Sequence, residues 1–173
     1  MRSTTRTPAR RTAALVGALA LVPALAACAS GVDAGTSVQG PSGNGANANV
    51  GPIQLRDMTL VSGGTDPQAA TTIGTIVNTG TDPDALLGAT ITSPTGATVR
   101  LAGTGISGST LPLPPQSAVR IGFNSDDHLD VSGLSITPSF FAQVQFSFQK
   151  AGTITMPVMV VPPTGIYQGI SPL

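Results

Sequence analysis

The sequence predicts an all-β fold, an antiparallel β-sandwich over residues 52–161, set behind an export signal and a flexible tether. From Pro52 onward Thr, Val, Ile and Leu become frequent, and Gly and Pro interrupt them roughly every eight to twelve residues, the spacing of short strands joined by turns. No window carries a sustained 3.6-residue apolar period, so amphipathic helices are not expected. About 110 residues is the usual size of one such sandwich, and a single domain accounts for it.

Residues 1–27 read as a lipoprotein signal peptide. Arg2, Arg6, Arg10 and Arg11 form a positive n-region, and Thr12 to Ala27 are apolar with a breaker at Pro23. At about 1.5 Å per helical residue the apolar run covers about 22 Å, short of the roughly 30 Å hydrocarbon core, so a permanent transmembrane helix is disfavoured. Leu25-Ala26-Ala27-Cys28 resembles a bacterial lipobox. That resemblance implies that the Cys28 thiol receives a diacylglyceryl group, that the leader is cut just before it, and that the new amino terminus is acylated. The alternative is an ordinary signal peptide cut at a neighbouring small residue. Two or more acyl chains give stable attachment where one gives only reversible binding, so the expected location is the extracytoplasmic face of the cell membrane. Arg10-Arg11 lacks a large apolar residue soon after it, which favours general over twin-arginine export.

Cys28 and residues 29–51 (ASGVDAGTSVQGPSGNGANANVG) form the expected linker. Gly, Ala, Ser and Asn cannot bury enough surface to offset the entropy of ordering them. A coil of this length has an r.m.s. span of roughly 25 Å and a taut limit near 80 Å. The alternative, a loosely packed first strand, is confined to the neighbourhood of Val50.

Within the domain, Ile53 to Leu60 forms the first strand, and its apolar parity switches from odd to even near Arg56 and Asp57, which predicts a β-bulge there. Ala70 to Val77 and Ala85 to Ile91 are central strands, joined by the turn chemistry of Asn78-Thr79-Gly80-Thr81-Asp82-Pro83. Val99 and Leu101 flank Arg100, and Val119, Ile121 and Phe123 alternate about Arg120, so both arginines belong on the solvent face. Leu111-Pro112-Leu113-Pro114-Pro115 lacks ladder donors at its prolines and belongs on an edge or in a crossover. Phe140 to Phe148 places its even positions in the core. Lys150-Ala151-Gly152 turns the chain, and Thr153 to Val161 returns with Ile154, Met156, Val158 and Val160 on one side, a hairpin. Residues 162–173 are a loose tail.

Charge narrows the function. Of eight basic residues four leave with the leader, while all eight acidic residues, every one an Asp, remain, so the mature chain stands near minus four. That excludes a nucleic-acid interface and gives no attraction to anionic headgroups. The single cysteine is used by the lipid, so no disulfide forms within the chain. One His, no Glu and no recognisable nucleophile motif argue against an enzyme; only a Ser/His/Asp set around His128 is compatible with the composition.

The order of elements resembles the PCuAC family of periplasmic copper chaperones. The similar segments are Thr75 to Ala89, Ser93-Pro94 leading to Val99-Arg100-Leu101, His128-Leu129 with Gly133-Leu134, and Phe146 to Gly152 with Pro157-Val158. The resemblance implies a cupredoxin-like or immunoglobulin-like sandwich and a Cu(I) site of two His and two Met. Here the ligand pattern is degenerate. Ala102 follows Val99-Arg100-Leu101 where the family has its first His, residues 103–113 contain no Met, and the late His-x-Met motif stands as His128-Leu129-Asp130. Cu(I) prefers thioether and imidazole, and the Asp130 carboxylate is a hard donor better suited, with His128 and Asp126, to Cu(II) or Zn(II). The other account of Asn124 to Asp130 is a solvated polar loop. The resulting expectation is a lipid-anchored binding or accessory module with no resident cofactor, recognising another envelope protein or ligand; the alternative is a divergent metal chaperone that keeps His128 as a ligand.

Overall fold

A computed structural model describes residues 45–135, 137–170 and 172. Cys28, the leader and most of the tether lie outside the described residues. Ten strands follow in order: β1 (Ala46–Val50), β2 (Ile53–Gly63), β3 (Asp66–Asn78), β4 (Asp84–Ser93), β5 (Thr98–Ala102), β6 (Leu111–Leu113), β7 (Ser117–Ile121), β8 (His128–Ser132), β9 (Phe141–Phe148) and β10 (Gly152–Val161). One hydrogen-bonded path runs β5-β8-β3-β2-β10-β9-β4-β6, with β1 added to β2 and β7 to β3. The path curls until β4 and β5 approach each other, giving the expected sandwich of barrel-like form.

The bulge expected in β2 is present. Its pairing with β3 slips between Arg56 and Thr59, and Asp57 takes a φ of 55°. Ile53 and Leu55 before it and Met58 and Leu60 after it are all fully buried in the main core. Directly across, Gly74 makes room for this: a Cβ there would lie 2.5 Å from the Met58 sulfur. At the same level both inner strands change partners. β2 is bordered by β1 up to Met58 and by β10 from Thr59, while β3 pairs with β7 from Gly74 onward and with β8 at Ala70 to Thr72. The β7–β8 loop leaves the sheet at this line, and Gly122 opens it. Its φ is 74°, and a Cβ would meet Ile73 Cγ2 at 2.6 Å and the Thr72 carbonyl at 2.7 Å.

At the other end of β3, Asn78 donates to the carbonyls of Asp82 and Leu113 and accepts from the Gly80 N–H. Asp84 Oδ1 accepts from the N–H groups of Ala85 and Lys150, and Oδ2 from that of Ala151. A buried carboxylate is tolerated because charge-assisted hydrogen bonds replace its hydration. The Asn-x-Gly-x-x-x-Asp and Phe-x-Lys-Ala-Gly segments, far apart in sequence, are therefore in direct contact.

Several expectations hold. Ala142, Val144, Phe146 and Phe148 are buried, as are Met156, Val158 and Val160 of the partner strand. Arg100 and Arg120 are exposed, and β6 is an edge strand. Four details differ. Strand order begins at Ala46, because Ala48, Asn49 and Val50 pair with β2, so the domain reaches into the span read as linker. One pair is parallel: Met159 to Val161 of β10 lie beside Thr59 to Val61 at the edge that β1 vacates, while β9 borders β10 on its other side. Phe123 and Phe140 lie outside their strands and are exposed, the first because Gly122 turns the chain and the second because Ser139, at a φ of 78°, does. The tail is not loose: Gly165–Tyr167 forms a 3₁₀ turn, and Ile170 packs with Val61, Ile73 and Val161 in a second apolar cluster on the outer face.

Asp84→Ala should lower unfolding free energy by about 3 kcal/mol, because it strands backbone donors that a charged acceptor satisfied, and Asp84→Asn should cost less because one acceptor oxygen stays. Gly122→Ala should cost about 1–3 kcal/mol through forced repacking against Ile73 and an unfavourable φ. Urea denaturation of the three variants checks both statements.

Candidate functional site

The β7–β8 loop, the first residue of β8 and the returning tail border an open cavity of about 550 Å³, with Phe123, Asn124, Ser125, Asp126, His128 and Gln168 among its lining. The loop holds its own shape. Gly122 donates to the Asp127 carbonyl at 2.7 Å, the Ser125 hydroxyl donates to the Arg120 carbonyl at 2.9 Å, and the Asp127 N–H donates to the Ser125 hydroxyl. Asn124 adopts a φ of 52°, which Asn tolerates better than most residues.

The polar cluster divides by role. Asp127 Oδ1 accepts the Gly105 N–H at 2.7 Å, and Thr104 donates to Asp126 Oδ2 at 3.4 Å, so these carboxylates tie down the segment after β5. Gly105 has no side chain because a Cβ would run into the Asp127 carboxylate. His128 is on a strand, not in a solvated loop, and its side chain is 12% exposed. Nδ1 lies 3.5 Å from the Thr71 hydroxyl and 4.0 Å from Asp130 Oδ1. His128 also lines the cavity. Asp130 shares that face of β8, between Thr71 and Arg100 in register, and is buried.

Two of the positions at which the sequence resemblance puts metal ligands, residues 102 and 128, are brought together. Ala102 is the cross-strand partner of His128. A methyl group therefore stands where a second imidazole would be. Among the described residues no methionine compensates. Met58 and Met156 are in the main core, and Met159, though on the outer face, is separated from His128 by the β3 and β2 strands, roughly 14 Å at about 4.8 Å per strand. Among the described residues no group of three or more His, Cys, Asp or Glu side chains is placed to hold a metal ion. The donors present do not fit a soft Cu(I) site. Nor does the cavity hold a hydrolytic set: its serine, Ser125, gives its proton to a backbone carbonyl, and the hydroxyl near His128 belongs to fully buried Thr71.

Sequence reasoning found His128, Asp126 and Asp130 but missed the contribution of Thr71 and of the tail. Ile166, Tyr167 and Ile170, three large apolar side chains in a short Gly/Pro-rich segment, were the available signal.

Sheet order, bulge and hairpin together define a cupredoxin-like β-sandwich, the fold of PCuAC copper chaperone domains. Among solved structures, the copper-bound PCuAC domain from PmoF2 is similar with a TM-score of 0.58 and 22% identity, over 68% of this chain and 99% of that one. The apo PCuAC domain from PmoF1 gives 0.59 and 16% over 68% and 100%. Apo-DR1885 from Deinococcus radiodurans gives 0.50 and 17% over 75% and 90%. No protein-family model matches the sequence, and no curated protein does.

Ile170→Ser should destabilise the domain by about 1–3 kcal/mol, since it places a hydroxyl in an apolar cluster and leaves a void. A thermal melt that matched the parent protein would mean that the tail contributes nothing to folding.

Proposed function

We propose that the protein is an exported lipoprotein, fastened through Cys28 to the outer face of the cell membrane, whose PCuAC-like domain is a binding module of the envelope and not a working copper carrier. The observation that carries this reading is the Ala102–His128 pair. Where the two strands bring ligand positions together, only one side chain can coordinate. The recognition element that remains is the cavity beside His128, polar, open to solvent and rimmed by half-exposed Phe123. Its size suits a small ligand or a few residues of a partner protein.

A second reading rests on the geometry of His128. Its imidazole lies 4.0 Å from the Asp130 carboxylate and borders the same cavity as Asp126. Imidazole with carboxylate suits Zn(II) or Cu(II), and a divergent metal chaperone could use it.

Calorimetric titration with Cu(I), Cu(II) and Zn(II) separates the two. The binding-module reading expects no saturable uptake and no change in His128→Ala; saturable uptake of a divalent ion that His128→Ala abolishes would establish the second reading. The double variant Ala102→His/Asp130→Met should gain Cu(I) binding that the parent lacks, because it adds an imidazole and a thioether beside an imidazole already in place. Crosslinking pull-downs with and without chelator should recover the same partners. Mass spectrometry of the processed chain should show an acylated cysteine at its amino terminus.

A further inference from the structure

A second cleft opens on the outer face where β2, β3 and β7 run side by side. Its volume is about 240 Å³, and it is lined by Asp57, Ile73, Gly74, Thr75, Arg120 and Phe123. Phe123 is the one residue it has in common with the cavity beside His128.

Backbone irregularity and register place its two charges. Asp57 belongs to the β2 bulge, at a φ of 55° that Asp tolerates better than most residues. Its N–H donates to Asn47 Oδ1 at 2.8 Å and its carbonyl accepts from the Thr59 hydroxyl at 3.4 Å. Arg120 is the cross-strand partner of Thr75, and Arg56 stands on the other side of that threonine. The two arginines of this row differ in employment. Arg56 donates to the carbonyls of Ala48 and Leu55 and to Gln54 Oε1. Among the described residues neither the Arg120 guanidinium nor the Asp57 carboxylate has a hydrogen-bond or ion-pair partner, and they are not paired with each other.

We propose that this cleft binds a free α-amino acid with an apolar side chain, its carboxylate on Arg120 and its ammonium on Asp57. Charge sets the ligand class. A guanidinium forks onto a carboxylate through two parallel N–H donors, and a carboxylate holds an ammonium by charge-assisted hydrogen bonds. A ligand with a single charge leaves the other charged wall facing it unpaired. Size narrows the class further. About 240 Å³ is the room of roughly eight water molecules at about 30 Å³ each, which suits a ligand the size of leucine. β3 alone separates β2 from β7, so the backbones that carry the two charges stand roughly 10 Å apart at about 4.8 Å per strand. Two charge-assisted hydrogen bonds of about 2.8 Å each fill half of that span, and the remainder accommodates an ammonium and a carboxylate borne on one carbon. The Phe123 ring, 47% exposed, and the edge of Ile73 offer apolar contact to the ligand side chain. Such a site is independent of what His128 binds.

Titration of the full-length, isotope-labelled chain in detergent micelles with leucine, followed by amide chemical shifts, tests the assignment. Saturable shifts should fall on residues 57, 73–75, 120 and 123. Leucinamide, which lacks the carboxylate, and N-acetylleucine, which lacks the ammonium, should each bind about tenfold more weakly, the cost of losing one hydrogen bond to a charged group. Arg120→Gln should weaken leucine by about tenfold and leave leucinamide unchanged. Asp57→Asn, whose side chain suits the same φ, should weaken leucine to the same degree and leave N-acetylleucine unchanged. Lys150→Gln, outside the cleft, should bind leucine as the parent does. The ligand series needs no variant, so it decides the matter even where a variant fails to fold. Absence of saturable shifts, equal affinity for all three ligands, or variants that bind as the parent does would each overturn the proposal. Shifts confined to residues 124–128 and 168 would put the ligand in the His128 cavity and overturn it equally.

Discussion

The Asp84 carboxylate is the interaction on which the architecture depends. It joins the start of β4 to the β9–β10 turn through three backbone donors. Asn78, six residues earlier, joins the end of β3 to the β3–β4 turn and to β6. Side-chain amide and carboxylate here replace ladder hydrogen bonds that the chain cannot make while turning from one half of the sandwich to the other. Buried donors and acceptors must be matched somewhere. At this end the match is made by two side chains.

The opposite end solves the same problem by backbone irregularity. β2 and β3 each serve two neighbours on one edge, and the changeover falls at the Asp57 bulge and at Gly74. A bulge shifts parity by one residue, so Ile53 and Leu60 can share a core although their numbers differ in parity. The same shift puts Thr59 and Val61 on the outer face, where both are buried and Val61 packs with Ile170 of the tail. Tail, changeover and cavity are one construction: without the switch from β7 to β8 there would be no loop before His128, and without the tail no second wall.

Much of the architecture was legible in the sequence because it obeys period two. Alternation fixed the core face of β9 and β10, the prolines confined β6 to an edge or a crossover, and the parity change announced the bulge. What was not legible depended on contacts distant along the chain. Ala46 to Val50 is too small and polar to look like a strand, yet β2 offers it a free edge and it pairs there. The parallel pairing of β10 with β2 follows from where β1 begins, which no local pattern encodes. For the site, residue chemistry identified His128 and Asp130, but only register shows that Ala102 is opposite the imidazole. Thr71 resembled any strand threonine until its hydroxyl was found 3.5 Å from Nδ1.

The polar junction and the surroundings of His128 occupy separate parts of the sandwich. The motifs that carry the likeness to PCuAC domains, Asn78 to Asp84 and Phe148 to Gly152, meet at one end of the sandwich. His128 and Ala102 meet near the other end, about 20 Å away along β3 at some 3.3 Å per residue. Substitutions that far apart, without shared partners, are energetically independent. Replacing a coordinating side chain by Ala at the end of β5 removes no hydrogen bond of the ladder and opens no void in the main core, since Ala102 is half-buried and outside it. Loss of ligands thus carries little folding penalty, whereas loss of Asp84 strands donors at once. Folding therefore constrains the polar junction far more tightly than it constrains the strand positions of residues 102 and 128.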